Sequence, residues 1–195
     1  FEDSLLYFTS RRDITTGGKI NPYNKLYFED IYLSKAKRGK WGNAEQLDKP
    51  INTKHNDAIV DISPDGGEIC IYRGHKGSGD LFNSQFKNGY WNKPGKMRKL
   101  NKGKYRESSV SVSRDSMTIY FISNRKGGQG RQDIWMSKKT IDGGKWQKPI
   151  NLGPVVNTKY DEETVEISED GRDLFFSSKG HNSMGGYDVF KTHRN

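Results

Sequence analysis

The stretch Ile-Tyr-Phe-Ile-Ser-Asn-Arg-Lys-Gly-Gly (119–128), followed by Gln-Asp-Ile-Trp (132–135), decides the fold because three further copies of it run along the chain. They read Leu-Tyr-Phe-Thr-Ser-Arg-Arg (6–12) then Glu-Asp-Ile-Tyr (29–32), Ile-Tyr-Arg-Gly-His-Lys-Gly (71–77) then Gly-Asp-Leu-Phe (79–82), and Leu-Phe-Phe-Ser-Ser-Lys-Gly-His (174–181) then Tyr-Asp-Val-Phe (187–190). Each is a strand, a basic glycine-containing loop, and an aspartate leading a second strand. The aspartates Asp30, Asp80, Asp133 and Asp188 step by 50, 53 and 55 residues, and Trp41, Trp91 and Trp146 by 50 and 55. A period near fifty made of short strands marks a radial β-repeat, since one small sheet cannot bury both faces without neighbours.

Around the third copy the pattern extends to a full unit. Glu107–Ser113 alternates as an inner strand, Met117–Ser123 forms a second, Asp133–Lys138 a third, and Trp146–Leu152 an outer segment. The same division predicts inner strands at Asp57–Ser63 and Glu162–Ser168, and second strands at Leu5–Ser10, Glu68–Arg73 and Asp173–Ser178. The connections Pro64-Asp65-Gly66, Arg114-Asp115-Ser116 and Glu169-Asp170-Gly171 suit tight hairpins, because Gly and Asp tolerate positive φ. Four antiparallel strands per repeat define a propeller blade, so the fold class is an all-β propeller with about four blades in this chain. The approximate repeats are 1–56, 57–106, 107–161 and 162–195. The chain opens on a second strand and closes on a third, from which we expect two incomplete blades and a larger propeller of about five to seven blades.

Composition agrees. The 195 residues include 22 Gly and only 31% hydrophobic residues, which suits short strands and turns better than helices. The 33 Lys and Arg against 24 Asp and Glu leave a net charge of +9, which favours an anionic partner over a cationic one. Cys70 is the sole cysteine, so no internal disulfide forms, and its mid-strand place makes it a buried small hydrophobe. No apolar run approaches a membrane span, and Phe1 begins no signal peptide; the start is expected to be truncated.

The run Ser-x-Asp-Gly (168–171), Leu-Phe-Phe-Ser-Ser (174–178) and Gly-Gly-Tyr-Asp-Val-Phe (185–190) resembles the WD40-like repeats of TolB-type propellers. Residues 144–163, Gly-Lys-Trp-Gln-Lys-Pro-Ile-Asn-Leu-Gly-Pro-Val-Val-Asn-Thr-Lys-Tyr-Asp-Glu-Glu, resemble the version found in OmpA-family envelope proteins of Bacteroidota, including the PorE-like group associated with type IX secretion. The resemblance implies a periplasmic, outer-membrane-associated propeller that serves as a non-catalytic scaffold. Peptidoglycan binding in such proteins belongs to an OmpA-like domain, whose residues are not in this chain. The resemblance departs locally: the second copy has Arg-Gly-His-Lys where the third has Ser-Asn-Arg, and the first carries an insertion.

An active site is one place, whereas scaffold residues recur in every blade. The four strand-leading aspartates recur, and are predicted to accept backbone N–H bonds in the turns before the third strands. Asp57, Glu107, Glu162 and Glu163 could supply a glycosidase pair, but occupy equivalent inner-strand starts. The Ser-x-Asp-Gly turns resemble sialidase Asp boxes without the Trp that completes them. No Gly-x-Ser-x-Gly elbow occurs, and the four histidines lack metal-ligand spacing. No catalytic residue, metal or cofactor is therefore predicted.

Propeller topology sends the loops between second and third strands to the rim from which the inner strands start. Arg11, Arg12, Arg73, His75, Lys76, Arg125, Lys126, Lys179 and His181 are thus the candidate basic rim, with Lys54, Lys102, Lys104 and Lys159 nearby. They either pair with inner-strand carboxylates of neighbouring blades or steer an envelope protein with an acidic surface to that face. The insertion at about 13–28 breaks the repeat and carries Tyr23, Tyr27 and Phe28 as candidate aromatic anchors for a protein partner. The three repeated tryptophans are assigned to the core. No dedicated nucleic-acid motif is present. The alternative reading is a carbohydrate-binding or substrate-gating propeller attached to an envelope enzyme.

Overall fold

The computed structural model describes residues 4–18, 20–63, 65–75, 78–103, 105–142 and 144–194, apart from the side chains of His75 and Ser78. Strands and turns account for the described structure, with no helix. Four antiparallel sheets follow one another along the chain, as the repeat requires.

The first sheet holds β1 (Leu5–Arg11), β2 (Glu29–Lys37), β3 (Lys40–Trp41) and β4 (Glu45–Gln46). The second holds β5 (Asn56–Ile62), β6 (Glu68–His75), β7 (Ser78–Lys87), β8 (Tyr90–Trp91) and β9 (Gly95–Lys96). The third runs β10 (Glu107–Val112), β11 (Thr118–Ser123), β12 (Asp133–Lys138) and β13 (Ile150–Asn151), and the fourth β14 (Glu162–Ile167), β15 (Asp173–Ser178) and β16 (Asp188–His193). Among the described residues the sheets hold four, five, four and three strands, and the outer segments pair only in two-residue pieces. Pro149 shows why: it has no N–H for the ladder, and pairing in the predicted 146–152 segment is confined to Ile150–Asn151 plus a bridge from Trp146 to Lys139.

The chain forms two compact units, residues 1–62, 66–78 and 82–95 in one and 63–65, 79–81 and 96–195 in the other. In the first, Ile31, Ile51, Ile69, Ile71 and Trp91 form a buried core joined by Tyr7, Leu47 and Phe82. In the second, Tyr120, Ile122, Ile134, Val156, Val165, Ile167, Leu174 and Phe176 do the same. Each inner strand carries a bulge, at Ile59/Asp61, Ser108/Val110 and Glu162/Val165. Polar stitches then join neighbouring sheets within a unit: the Ile59 N–H donates to Thr9 Oγ1 (3.0 Å), and the Val165 and Ile167 N–H groups donate to the hydroxyls of Ser109 and Ser111 (3.1 Å each).

The hairpin turns are held as their sequence predicts. Asp115 Oδ1 accepts from the Ser113 hydroxyl (2.6 Å) and the Met117 N–H (2.9 Å); Asp170 does the same for Ser168 and Arg172. Gly66, Ser116 and Gly171 occupy the matching positive-φ position at 68°, 57° and 72°. The tryptophan assignment needs correction. Trp91 is buried, Trp146 is half-buried beneath the Lys139 ammonium, and Trp41 is 48% exposed on β3, at the outer end of its sheet. Cys70 is buried, and its thiol pKa is pushed up by that burial.

Candidate functional site: a basic hollow beside an apolar insertion

The aspartate that leads each third strand shapes the loop before it. Asp133 Oδ1 accepts the N–H groups of Gln129 (2.8 Å) and Gly130 (3.1 Å), Asp30 accepts that of Thr16 (2.5 Å), and Asp188 that of Met184 (2.5 Å). Asp80 pairs with Lys96 at 2.8 Å, and Lys76 and Gly77 in the loop before it lie outside the described residues.

The basic residues of these loops divide sharply by burial. Arg125 is enclosed: Nε donates to Ser123 Oγ (2.9 Å), Nη2 donates to Glu107 (2.9 Å) and to the Leu100 carbonyl (2.6 Å), and the guanidinium lies over the rings of Phe121 and Trp135. Arg73 pairs with Asp57, donates to the Ile51 carbonyl (2.7 Å) and lies over Phe82. Arg12 lies over Tyr32 at 4.4 Å. In the fourth sheet the place is taken by His181, whose ring packs on Phe176 and Phe190 with Nε2 3.0 Å from the Val156 carbonyl. The ion pairs therefore form inside one sheet, to the carboxylate of the strand preceding the arginine. Neighbouring structure is reached instead through backbone carbonyls of the preceding outer segment.

Burial sets the electrostatics of these pairs. Desolvation pushes the carboxyl pKa values of Asp57 and Glu107 up, partly offset by their arginines, and pushes the Arg125 pKa down. Glu162, at the equivalent inner-strand start, has no arginine; Thr158 and Ser178 hydroxyls donate to it at 2.9 Å, and burial again raises its pKa.

The remaining rim charges are solvent-facing. Arg11 pairs with Glu29 at 2.7 Å, Lys126 is exposed, and Lys179 lies 4.6 Å from the ring of Tyr187. Lys76 and Lys104 lie outside the described residues, as does the side chain of His75. Sequence reading named Lys54 but missed the basic group it belongs to in the first unit, where Lys49, Lys54 and Lys93, with Thr16, Pro50, Asn52, Thr53, Arg73 and Pro94, line a hollow of about 380 Å³. Among the described residues no carboxylate pairs with these three lysines, and Arg73 at its wall is already committed to Asp57. Its signal in the sequence was the pair Lys49 and Lys93, each directly before a proline.

Thr16 brings the insertion to the wall of this hollow, fixed by bonds from its N–H to Asp30 and from Gln46 Nε2 to its hydroxyl (2.8 Å). Beyond it the chain turns through Asn21, whose carbonyl accepts the Lys25 N–H and whose side chain accepts that of Tyr23, and closes with an Ile20–Tyr27 bridge. Tyr23 is 64% exposed and Tyr27 37%, and Ile14, Ile20 and Leu26 are also exposed. Phe28 does not join them: its ring packs on Gly17, where any Cβ would overlap it.

A second feature missed from sequence is a buried asparagine in each outer segment. Asn52, Asn101 and Asn157 accept the N–H of Ile31, Leu81 and Ile134 (2.8, 2.8 and 2.7 Å) and return a bond to the same residue's carbonyl (2.9, 2.8 and 2.9 Å). Their spacing follows the fifty-residue period and was its available signal.

No protein-family model matches the chain, and no curated protein matches it. Solved structures do. A putative TolB from Agrobacterium tumefaciens superposes with a TM-score of 0.60 at 17% identity, over 97% of this chain and 62% of that one. TolB from Acinetobacter baumannii gives 0.59 at 11%, over 97% and 38%. The fold is that of a TolB-like β-propeller. This chain spans less than two thirds of either TolB chain. An α-L-arabinofuranosidase from Lactobacillus brevis also matches, with a TM-score of 0.55 at 11% identity over 97% of this chain and 68% of that one, so the TolB-like fold is shared with an enzyme and does not itself fix a function.

Chemically, Asp57, Glu107 and Glu162 are fully buried and hydrogen-bonded within the scaffold, and only Glu163 of the four inner-strand carboxylates is exposed. Among the described residues no group of three or more His, Cys, Asp or Glu could hold a metal ion. Among the described residues no helix is long and apolar enough to cross a membrane.

Proposed function

We propose that this chain is a non-catalytic interaction propeller that docks an acidic protein surface, working in the periplasm within an outer-membrane-associated protein of the OmpA-like kind and supporting type IX secretion. The observation that carries the docking is the hollow of Lys49, Lys54 and Lys93, whose wall includes Thr16 of the same insertion that exposes Tyr23 and Tyr27. Three cations without carboxylate partners attract acidic side chains and speed encounter, and adjacent exposed tyrosines add apolar contact at low conformational cost. The compartment and the secretion role rest on the resemblance of residues 144–163 and agree with the TolB-like fold.

Reversing Lys49, Lys54 and Lys93 to Glu tests this. Capture of envelope proteins is expected to be lost at an unchanged melting temperature, while an Arg114→Glu control, far out on an exposed turn, retains it. Equal capture by the triple variant overturns the proposal.

A further inference from the structure

The walls of the lysine hollow are fixed by bonds within the fold. Thr16 is held through its N–H by Asp30 (2.5 Å) and through its hydroxyl by Gln46 (2.8 Å). Asn52 commits its whole amide to Ile31 and Leu47, and Thr53 donates its hydroxyl to Asp57 (2.7 Å). Arg73 is pinned by Asp57 and by the Ile51 carbonyl (2.7 Å), and Pro50 and Pro94 have a fixed φ. Only the exposed ammonium groups of Lys49, Lys54 and Lys93 are left to adjust. A rigid concavity of this kind receives a projecting group rather than a flat face.

What the walls still offer is hydrogen-bond donors. Thr16 Oγ1 accepts from Gln46, so its own proton has no acceptor among the described residues, and neither does Arg73 Nη1. The side-chain acceptors Asn52 Oδ1 and Thr53 Oγ1 are already taken by the N–H groups of Ile31 (2.8 Å) and His55 (3.3 Å). Arg73 and Asp57 cancel, which leaves the three lysines as surplus positive charge. Donors and cations without free side-chain acceptors are the complement of oxyanions. A volume of about 380 Å³, at about 30 Å³ for each water-sized group, holds roughly a dozen heavy atoms. One phosphate or one carboxylate leaves most of that space empty, whereas neighbouring acidic side chains fill it.

We propose that the part of the acidic partner received by this hollow is a projecting loop or tail with a run of consecutive Asp or Glu residues. Their carboxylates meet the lysine ammonium groups at the mouth, and the Arg73 edge and Thr16 hydroxyl select for oxygen acceptors inside it. Because the walls are already ordered, little conformational cost is added on binding beyond that of the segment itself. This narrows the acidic-surface docking proposed above, on which it rests, to a linear acidic segment.

The test uses the chain itself and a labelled peptide, Gly-Ser-Glu-Glu-Glu-Ser-Gly. Anisotropy titration at low salt is expected to show saturable binding, with amide chemical-shift changes centred on Thr16, Thr53 and Arg73. A peptide with Gln for each Glu, and one with Ser-Gly between the same glutamates, should bind ten-fold or more weakly. Lys49→Gln, Lys54→Gln and Lys93→Gln together should abolish binding. Thr16→Val should weaken it several-fold with the lysines intact, and Thr16→Ser, which keeps the hydroxyl, should restore it. Absence of binding up to about 1 mM, equal binding by the spaced peptide, or shift changes elsewhere on the surface of this +9 chain overturns the proposal. So does displacement of the peptide by equimolar inorganic phosphate, which gives the hollow to a free oxyanion. If the lysine reversals abolish capture of envelope proteins while no acidic peptide binds, docking stands and the linear segment falls. If the peptide binds and capture is unchanged, the ligand class stands and docking through the hollow falls.

Discussion

Arg73 and Arg125 deliver their guanidinium groups to equivalent places from positions two residues out of register. Arg73 stands directly opposite Asp57, whereas Ser123 stands opposite Glu107 and Arg125 follows two residues later. Each still meets the inner-strand carboxylate, the preceding outer-segment carbonyl and the ring of a third-strand aromatic. The constraint lies on where the cation sits, and the loop sequence is free to vary around it.

Removing one member of such a pair should therefore cost far more than surface charge arithmetic suggests. Glu107→Gln leaves the Arg125 guanidinium, whose side chain is 5% exposed, without its counter-charge. A loss of about 3–5 kcal/mol in denaturant unfolding is expected. The exposed pair Arg114 and Glu169, at 65% and 77% side-chain exposure, gives the contrast, and Arg114→Ala should change stability by less than about 1 kcal/mol.

Glu162 should behave oppositely to Glu107 although it occupies the same place in its sheet. It is buried without a cationic partner, and burial raises its folded-state pKa above the ordinary value of 4.5. Its contribution to stability is thus fully present below the ordinary value and is lost as pH rises through the folded-state pKa. Glu162→Gln is expected to raise the melting temperature at pH 7 by roughly 2–4 °C, the equivalent of about 1 kcal/mol in a domain of this size. The difference from the parent should close as pH falls toward 4.5. A pH series of thermal melts on both proteins reads this directly.

Asn157→Ala removes the amide that satisfies the buried Ile134 N–H. About 2–4 kcal/mol of destabilisation is expected from the orphaned donor together with the lost return bond. Asn157→Asp should not rescue it, since a carboxylate accepts but cannot return the bond to the carbonyl, and urea melts of both variants decide the point.

Ser116→Gly should stabilise. Ser116 holds φ at 57° in a turn where the other two sheets place glycine, and glycine carries no penalty there. A gain of up to about 1 kcal/mol is expected. Gly130→Ala should have the reverse effect at ordinary φ, because a Cβ there would overlap the Tyr160 and Thr158 carbonyls, which are backbone and cannot swing aside.

Strand positions were legible because alternation and Asp-Gly turns are local: Asp133–Lys138 and Asp173–Ser178 were read to the residue. Asp30, Asp133 and Asp188 likewise act as the turn acceptors their chemistry suggested. The rim was legible only as a count of charges. Whether a cation is spare depends on desolvation and on three-dimensional partners, so sequence could not separate buried Arg125 from exposed Lys126. Nor could it show that His181 substitutes for an arginine. The repeat of Trp41 suggested a shared role, but exposure is set by the packing around a short outer strand, and Trp41 on β3 is 48% exposed where Trp91 on β8 is buried.

The outer-segment asparagines close the same contact across sequence separations of 21, 20 and 23, from Ile31 to Asn52, Leu81 to Asn101 and Ile134 to Asn157. A side-chain amide that stands in for a strand neighbour needs no continuous ladder behind it, only delivery to one point. Length changes between third strand and asparagine are thereby uncoupled from the geometry of the sheet. This gives the repeat a region in which insertions accumulate without loss of the fold, and Asn52→Asp or Asn101→Asp would remove that tolerance.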